Sequence, residues 1–147
     1  MRKLQMYIGE KLKYIIEADG GSRGNPGPAA YGCLIRNFET REIIFQEGKF
    51  IGTQTNNFAE YSGLIRALEK CFELDANAEI QVFMDSKLVV EQMSGNWKIK
   101  HESMKTLVEK AKNAFPQNNV TYKWIPREEN LIADALLNEA LDKALNQ

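Results

Sequence analysis

Three strand-like runs stand in a row before the first helical period, and this order restricts the fold more than any other feature of the chain. An apolar run over 13–19 ends at Asp19, and "YGCLIRNF" (31–38) and "EIIFQEGKF" (42–50) follow after short connections. Short links between successive strands favour an antiparallel meander. The period then changes. Phe58, Tyr61, Ile65, Leu68 and Phe72 recur at helical spacing and predict an amphipathic helix over 57–73. A strand over 78–85, "AEIQVFMD", comes next, then a short helix stopped by Gly95 and another ended by Pro116. "VTYKWI" (120–125) is the last strand, and "NLIADALLNEALDKAL" is a C-terminal helix. Strands in series followed by alternating helices and strands give a mixed α/β sheet, flanked by helices, with the later strands parallel to the first.

A length of 147 residues suits one domain. No apolar run reaches the roughly 18 residues of a membrane span, and the basic start has no apolar stretch fit for secretion. The expectation is a cytoplasmic protein with no membrane contact. Cys33 and Cys71 lack metal-site spacing and read as buried thiols. A net charge of -1 argues against gripping nucleic acid through a global positive field, but leaves room for a local phosphate-binding groove.

The carboxylates are the chemical signal. "YIIEADGGSRGNPGP" delivers Asp19 to the mouth of a glycine-rich turn, and "QVFMD" delivers Asp85 to the end of another strand. In open α/β sheets ligands bind beyond the carboxyl ends of strands, so these two acids are expected to be neighbours. Glu60 falls in the first turn of the long helix and Asp134 in the first turns of the last one. Singly, each acid has a structural role open to it: turn residue, helix cap or partner of a helix dipole. Together, like charges about 5 Å apart repel by roughly 3 kcal/mol at an effective dielectric near 20, which calls for cations between them. All-oxygen ligands select Mg2+ or Mn2+, and paired ions of this kind serve phosphoryl transfer. Glu17 shares a strand face with Asp19 and reads as a solvated rim residue rather than a fifth acid.

The segments "IEADGGSRGNPGPAAYG", "TNNFAEYSGLIRALE", "MDSKLVVEQMSGNWKIK" and "PREENLIADALLNEAL", in this order, resemble type 1 ribonuclease H over about residues 13–142. The resemblance implies a ribonuclease H-like fold: a five-stranded mixed sheet, three antiparallel strands and then two parallel, with the first strand central. It implies an endoribonuclease that hydrolyses the RNA strand of RNA–DNA hybrids by two-metal catalysis, leaving 5′-phosphate and 3′-hydroxyl ends. Its four catalytic, metal-holding acids fall on Asp19, Glu60, Asp85 and Asp134, with two Mg2+ ions that Mn2+ can replace. Residues 1–12 are then an N-terminal extension and 13–147 a single catalytic domain, with neither an N-terminal hybrid-binding domain nor a C-terminal phosphatase-like one. No obligate protein partner is inferred.

By motif, backbone contacts to the hybrid fall on Gly24, Asn25 and Gly27 of "GNPG" and on Thr55, Asn56 and Asn57 of "TNN". Amides and hydroxyls beside a helix N-terminus suit phosphate and sugar oxygens, with helix capping the alternative for the asparagines. Ser86 combines a helix cap with a minor-groove contact. Trp97, Lys98 and His101 are candidates for the DNA strand's channel, whereas Trp124 reads as core. The sequence departs from the family pattern twice. It resembles a bacterial subgroup without the inserted basic helix, since "GNWKIKHESM" leaves only Lys98, Lys100 and His101. The loop before the fourth acid, "WIPREEN", has no histidine, and Glu128 or Glu129 is the expected substitute. Alternatives are another nuclease of this fold, of exonuclease or strand-transfer type, or a non-catalytic hybrid-binding module. The "GNPG" and "TNN" turns argue against the former, the intact acids against the latter.

Overall fold

The computed structural model describes residues 11–146, so the expected N-terminal extension lies outside the described residues apart from its last two. Strands β1 (Lys13–Ser22), β2 (Gly27–Asn37) and β3 (Ile43–Gln54) form the antiparallel meander. Helix α1 (Asn56–Leu74), strand β4 (Glu79–Met84), helices α2 (Lys87–Met93) and α3 (Glu102–Ala114), strand β5 (Val120–Trp124) and helix α4 (Leu131–Leu145) follow. The sheet order is β3-β2-β1-β4-β5, with β4 parallel to both β1 and β5. The expected five-stranded mixed sheet is therefore the one found, with the first strand at its centre.

The two faces are covered differently. Tyr14, Ile16 and Ala18 of β1 alternate inward with Ile80, Val82 and Met84 of β4, and α1 lays Leu64 and Leu68 onto them. Residues α1 shares with α3 complete this main core, in which Val108, Ala111 and Phe115 are buried. On the opposite face α4 packs alone, with Leu137 and Leu141 over Ala30. It lies close because Gly32 has no side chain: a Cβ there would stand 2.1 Å from the Ala133 carbonyl oxygen. No helix among the described residues is long and apolar enough to cross a membrane.

Strand boundaries differ from expectation where glycines lie. β1 does not end at Asp19 but continues to Ser22, pairing Gly20, Gly21 and Ser22 with Tyr31, Ala30 and Ala29. What ends at Asp19 is the other ladder. The parallel pairing of β1 with β4 stops at Ala18 opposite Met84, so β1 extends on one edge only.

Candidate active site

Asp19 and Asp85 each come directly after the last pair of the β1–β4 ladder. Adjacent strands lie about 4.8 Å apart, so the two carboxylates are held side by side. Glu60 comes from α1, as the fifth residue of the helix and thus beyond the first turn, where the sequence had placed it. Gly20 admits it. A Cβ at Gly20 would sit 2.2 Å from the Ala59 carbonyl carbon, so any larger residue would push the helix away. As a result Asp19, Glu60 and Asp85 each bring one oxygen to within 4.8 Å of the others. Asp134, in the first turn of α4, lines the same cleft, of about 600 Å³, without joining that close trio.

The electrostatic cost of this arrangement is plain. Asp19 is only 4% exposed. Burial first, and then the charge of Asp85, push its carboxyl up to about 8, against the opposing pull of the Gly20 amide. Glu60 is also raised well above the usual carboxylate range, by burial and then by Asp19 and Asp85. Among the described residues its Oε2 is buried with no hydrogen-bond partner. A buried, unpartnered carboxylate oxygen beside two further acids fits a hard divalent cation, and the trio can hold one.

Of the structural roles left open, the dipole role stands for Asp134, in the first turn of α4, while those of Asp85 and Asp19 do not. Ser86, not Asp85, caps α2, its hydroxyl accepting from the Val89 amide. Asp19 stands within a strand rather than in a turn. Three neighbours shape the cleft: Asn130 and Asn138, which sequence reasoning passed over, and Arg127, which it noted in the loop without a role. Asn130 is fully buried at the start of α4, yet its side chain makes no cap hydrogen bond. Its Nδ2 donates instead to the Ala18 carbonyl at 2.9 Å and reaches Asp85 Oδ1 at 3.5 Å. Asn138 donates to Asp134 Oδ1 at 3.2 Å. Arg127 stands 3.9 Å from Asp134, on the cleft wall. The only available signal for Asn130 was an asparagine before an apolar helix, which ordinarily reads as a cap.

Three expectations need correction. Glu17 is not a solvated rim residue: Arg36, two places beyond its register partner Leu34, binds it at 2.6 Å in a largely buried ion pair. Trp124 is not core. It ends the edge strand β5, lines the acid cleft and donates from Nε1 to the Asp85 carbonyl at 3.1 Å. Glu128 and Glu129 are exposed and line no part of the cleft, and Arg127 is the loop residue that does.

The other predicted residues fall into two groups. The "GNPG" turn is tied to the start of α1: Asn25 Oδ1 accepts from the Asn56 amide at 3.0 Å, and Asn56 Oδ1 accepts from the Ser22 amide at 2.8 Å. Gly24 has a φ of +88°, and Gly27 lies too close to the Arg23 carbonyl for a side chain. Thr55 caps α1 through the Phe58 amide at 3.1 Å. Asn57 turns the other way, into a second cleft of about 570 Å³ that Trp97, Lys98 and His101 also line. Asn56 lines the acid cleft, so consecutive asparagines at the start of α1 serve different clefts.

The fold and this acid constellation define a class of nucleases, and comparison with known proteins narrows it. The family model described as "Reverse transcriptase-like" matches residues 17–140. The bifunctional protein Rv2228c of Mycobacterium tuberculosis is 48% identical over 134 residues, 90% of this chain and 36% of that protein. The solved structure of its N-terminal ribonuclease H domain, as a fusion with maltose binding protein, matches with a TM-score of 0.87 at 47% identity, over 92% of this chain and 98% of that one. The structure of LC11-RNase H1 in complex with an RNA/DNA hybrid matches with a TM-score of 0.83 at 43% identity, over 90% and 99% of the two chains. A ribonuclease H of Ruthia magnifica is 34% identical over 151 residues, 89% of this chain and 97% of that protein. The chain belongs to the type 1 ribonuclease H family. It spans about a third of the length of the first curated relatives it matches.

Proposed function

We propose that this chain is an endoribonuclease that hydrolyses the RNA strand of RNA–DNA hybrids, leaving 5′-phosphate and 3′-hydroxyl ends. The observation that carries this reading is the convergence of Asp19, Glu60 and Asp85 within 4.8 Å, with Asp134 on the same cleft. These four acids would hold two Mg2+ ions, for which Mn2+ can substitute. When bound, the ions supply activation of the attacking water and charge stabilisation at the leaving 3′-oxygen. The protein's own groups then have separable tasks. Asn130 and the Asp85 backbone contact from Trp124 keep Asp85 aimed. Arg127 sets a positive charge beside Asp134, where a phosphate can meet it.

Two clefts on either side of the start of α1 suit a two-stranded ligand. Asn56 faces the acid cleft with the RNA strand, whose 2′-hydroxyls distinguish it from DNA. Asn57, Trp97, Lys98 and His101 line the second cleft, which would take the DNA strand. Gly24, Asn25 and Gly27, with Thr55 and Ser86, shape the backbone between them and offer amides and hydroxyls to phosphate and sugar. The cytoplasm is the proposed compartment. The buried free thiols Cys33 and Cys71, both pushed up to about 12, suit a reducing one.

The test is cleavage of end-labelled RNA–DNA hybrid, double-stranded RNA and single-stranded DNA, each with Mg2+ and with chelator. Cleavage of the hybrid's RNA strand alone, and only with metal, is expected. Metal-dependent cleavage of single-stranded DNA, or hybrid binding without cleavage, would overturn the reading.

A further inference from the structure

One buried polar side chain lines the second cleft. Gln92 sits on α2 and is only 4% exposed, on a helix whose other buried residues are Val89, Val90 and Met93. Its carbonyl is spoken for: Tyr61, completely buried in the main core, donates its hydroxyl to Gln92 Oε1 at 2.7 Å. Among the described residues no group accepts from Gln92 Nε2. That nitrogen is nevertheless not one of the sealed, unpartnered polar atoms of the interior, and the residue lines the second cleft. An amide fixed at its oxygen by a buried hydroxyl therefore presents its nitrogen to the cleft.

The surroundings state what such a donor would meet. Lys98, Lys100 and His101 line this cleft with Asn57, Asn96 and Trp97, and no acid lines it. The neighbouring cleft carries the acids. A donor-rich, acid-free hollow with a tryptophan at its wall suits one phosphodiester and its attached nucleoside. Lys98 and Lys100 are exposed, so they attract charge without fixing its position. Gln92 differs, because burial and Tyr61 have already fixed its orientation before any ligand arrives.

We propose that Gln92 Nε2 donates a hydrogen bond to a phosphodiester oxygen of the strand lying in the second cleft, and that Tyr61 is its positioning residue. This rests on the functional reading above and assigns within it a specific contact to the strand that is not cut. A neutral donor is well suited to this task, since it selects for position while the lysines supply the charge.

Four variants of the described chain test it: Gln92→Met, Gln92→Glu, Tyr61→Phe and, as a non-cleaving background for binding, Asp85→Asn. Hybrid cleavage by the unaltered chain is the control for the functional reading. If that fails, the reading fails, whatever Gln92 does. Given cleavage, Gln92→Met is expected to raise KM about tenfold, the usual loss for a hydrogen bond to a charged group, with a far smaller fall in kcat. Gln92→Glu keeps an acceptor for Tyr61 but sets an anion against the phosphate, and should raise KM further. Tyr61→Phe should raise KM about threefold and leave the cut site less sharply defined. Binding of labelled hybrid in the Asp85→Asn background closes the case. Replacing single phosphates of the DNA strand by uncharged methylphosphonate should erase the Gln92→Met defect at one position only. Thermal unfolding of each variant identifies any that fail to fold, and Tyr61→Phe and Gln92→Glu carry the test if Gln92→Met does. Unchanged KM in folded Gln92 variants would overturn the proposal, as would a defect that persists at every methylphosphonate position.

Discussion

The two clefts beside the start of α1 are built on opposite plans. The acid cleft gathers Asp19, Glu60, Asp85 and Asp134 from the end of the β1–β4 ladder and from two helices spread over most of the chain. Its members are largely buried and mutually repelling, and they are held by ladder register and by a glycine contact. The second cleft takes all its lining residues except Asn57 from the single stretch Leu88–Met104. Trp97 is 44% exposed there. The first plan holds unfavourable charge in a frame of strands and helices, where a cation would relieve it. The second leaves charge in solvent, where it is cheap to keep and weak to use. Chemistry needs the fixed geometry of the former, whereas attraction of a polyanion needs only the latter.

The largest effect that would break this contrast is at Asp85. Asp85→Asn is expected to keep the fold and hybrid binding while abolishing cleavage, because an amide is a poor ligand for Mg2+. Near-normal turnover would remove Asp85 from the site, and steady-state kinetics of the purified variant decide the matter. The metal-free chain offers the next test. Folded, Asp19 keeps its proton up to about 8; unfolded, it loses it near 3.8. Between those values the folded state binds more protons, so stability falls as pH rises. Melting temperature in chelator should therefore decline from about pH 5 to pH 8. Asp19→Asn should flatten the decline, and added Mg2+ should reverse it. A flat profile for the parent chain would mean that burial and the neighbouring acids do not hold the Asp19 proton.

Smaller effects belong to the second cleft. With few exposed cations and a net charge of -1, the log–log salt dependence of hybrid binding should be shallow. At about -0.9 per phosphate contact, a slope implying ten contacts would contradict the assignment. The smallest expected effect is at His101, which starts α3 without a side-chain cap and lies apart from the acids. His101→Ala should leave turnover at saturating hybrid within about threefold, or ~0.7 kcal/mol of barrier. Arg127→Ala should cost more, because Arg127 faces the acids. Parallel kinetics of the two variants from pH 6 to 9 rank them.

That the four acids share one cleft was legible because each follows a strong local signal, an apolar strand or the start of a periodic helix, and because strand ends converge in such sheets. What the sequence withheld were contacts across elements. Glu17 meets Arg36 only through the diagonal of an antiparallel register, and nothing local fixes that register. Trp124 looked like core because a tryptophan after a β-rich run usually is. Only the strand's place at the sheet edge exposes it. Asn130 reads as a cap but reaches back to β1, a bond spanning 112 positions. The loop substitute was sought among glutamates because they suit proton or metal contacts. The short helical turn over Arg127–Glu129 directs the arginine to the cleft instead.

The position of α4 has a consequence for the order of events as the chain is made. Its docking on β2 and β3 sets the place of Asp134, and Asn130 at its start braces Asp85. The lining of the second cleft ends at Met104, but the core beneath it also needs Val108, Ala111 and Phe115. The acid cleft waits longest, for Asp134 and for the brace that Asn130 gives Asp85. Because a domain folds as a unit, a chain halted before α4 is expected to lack both the fourth acid and that brace.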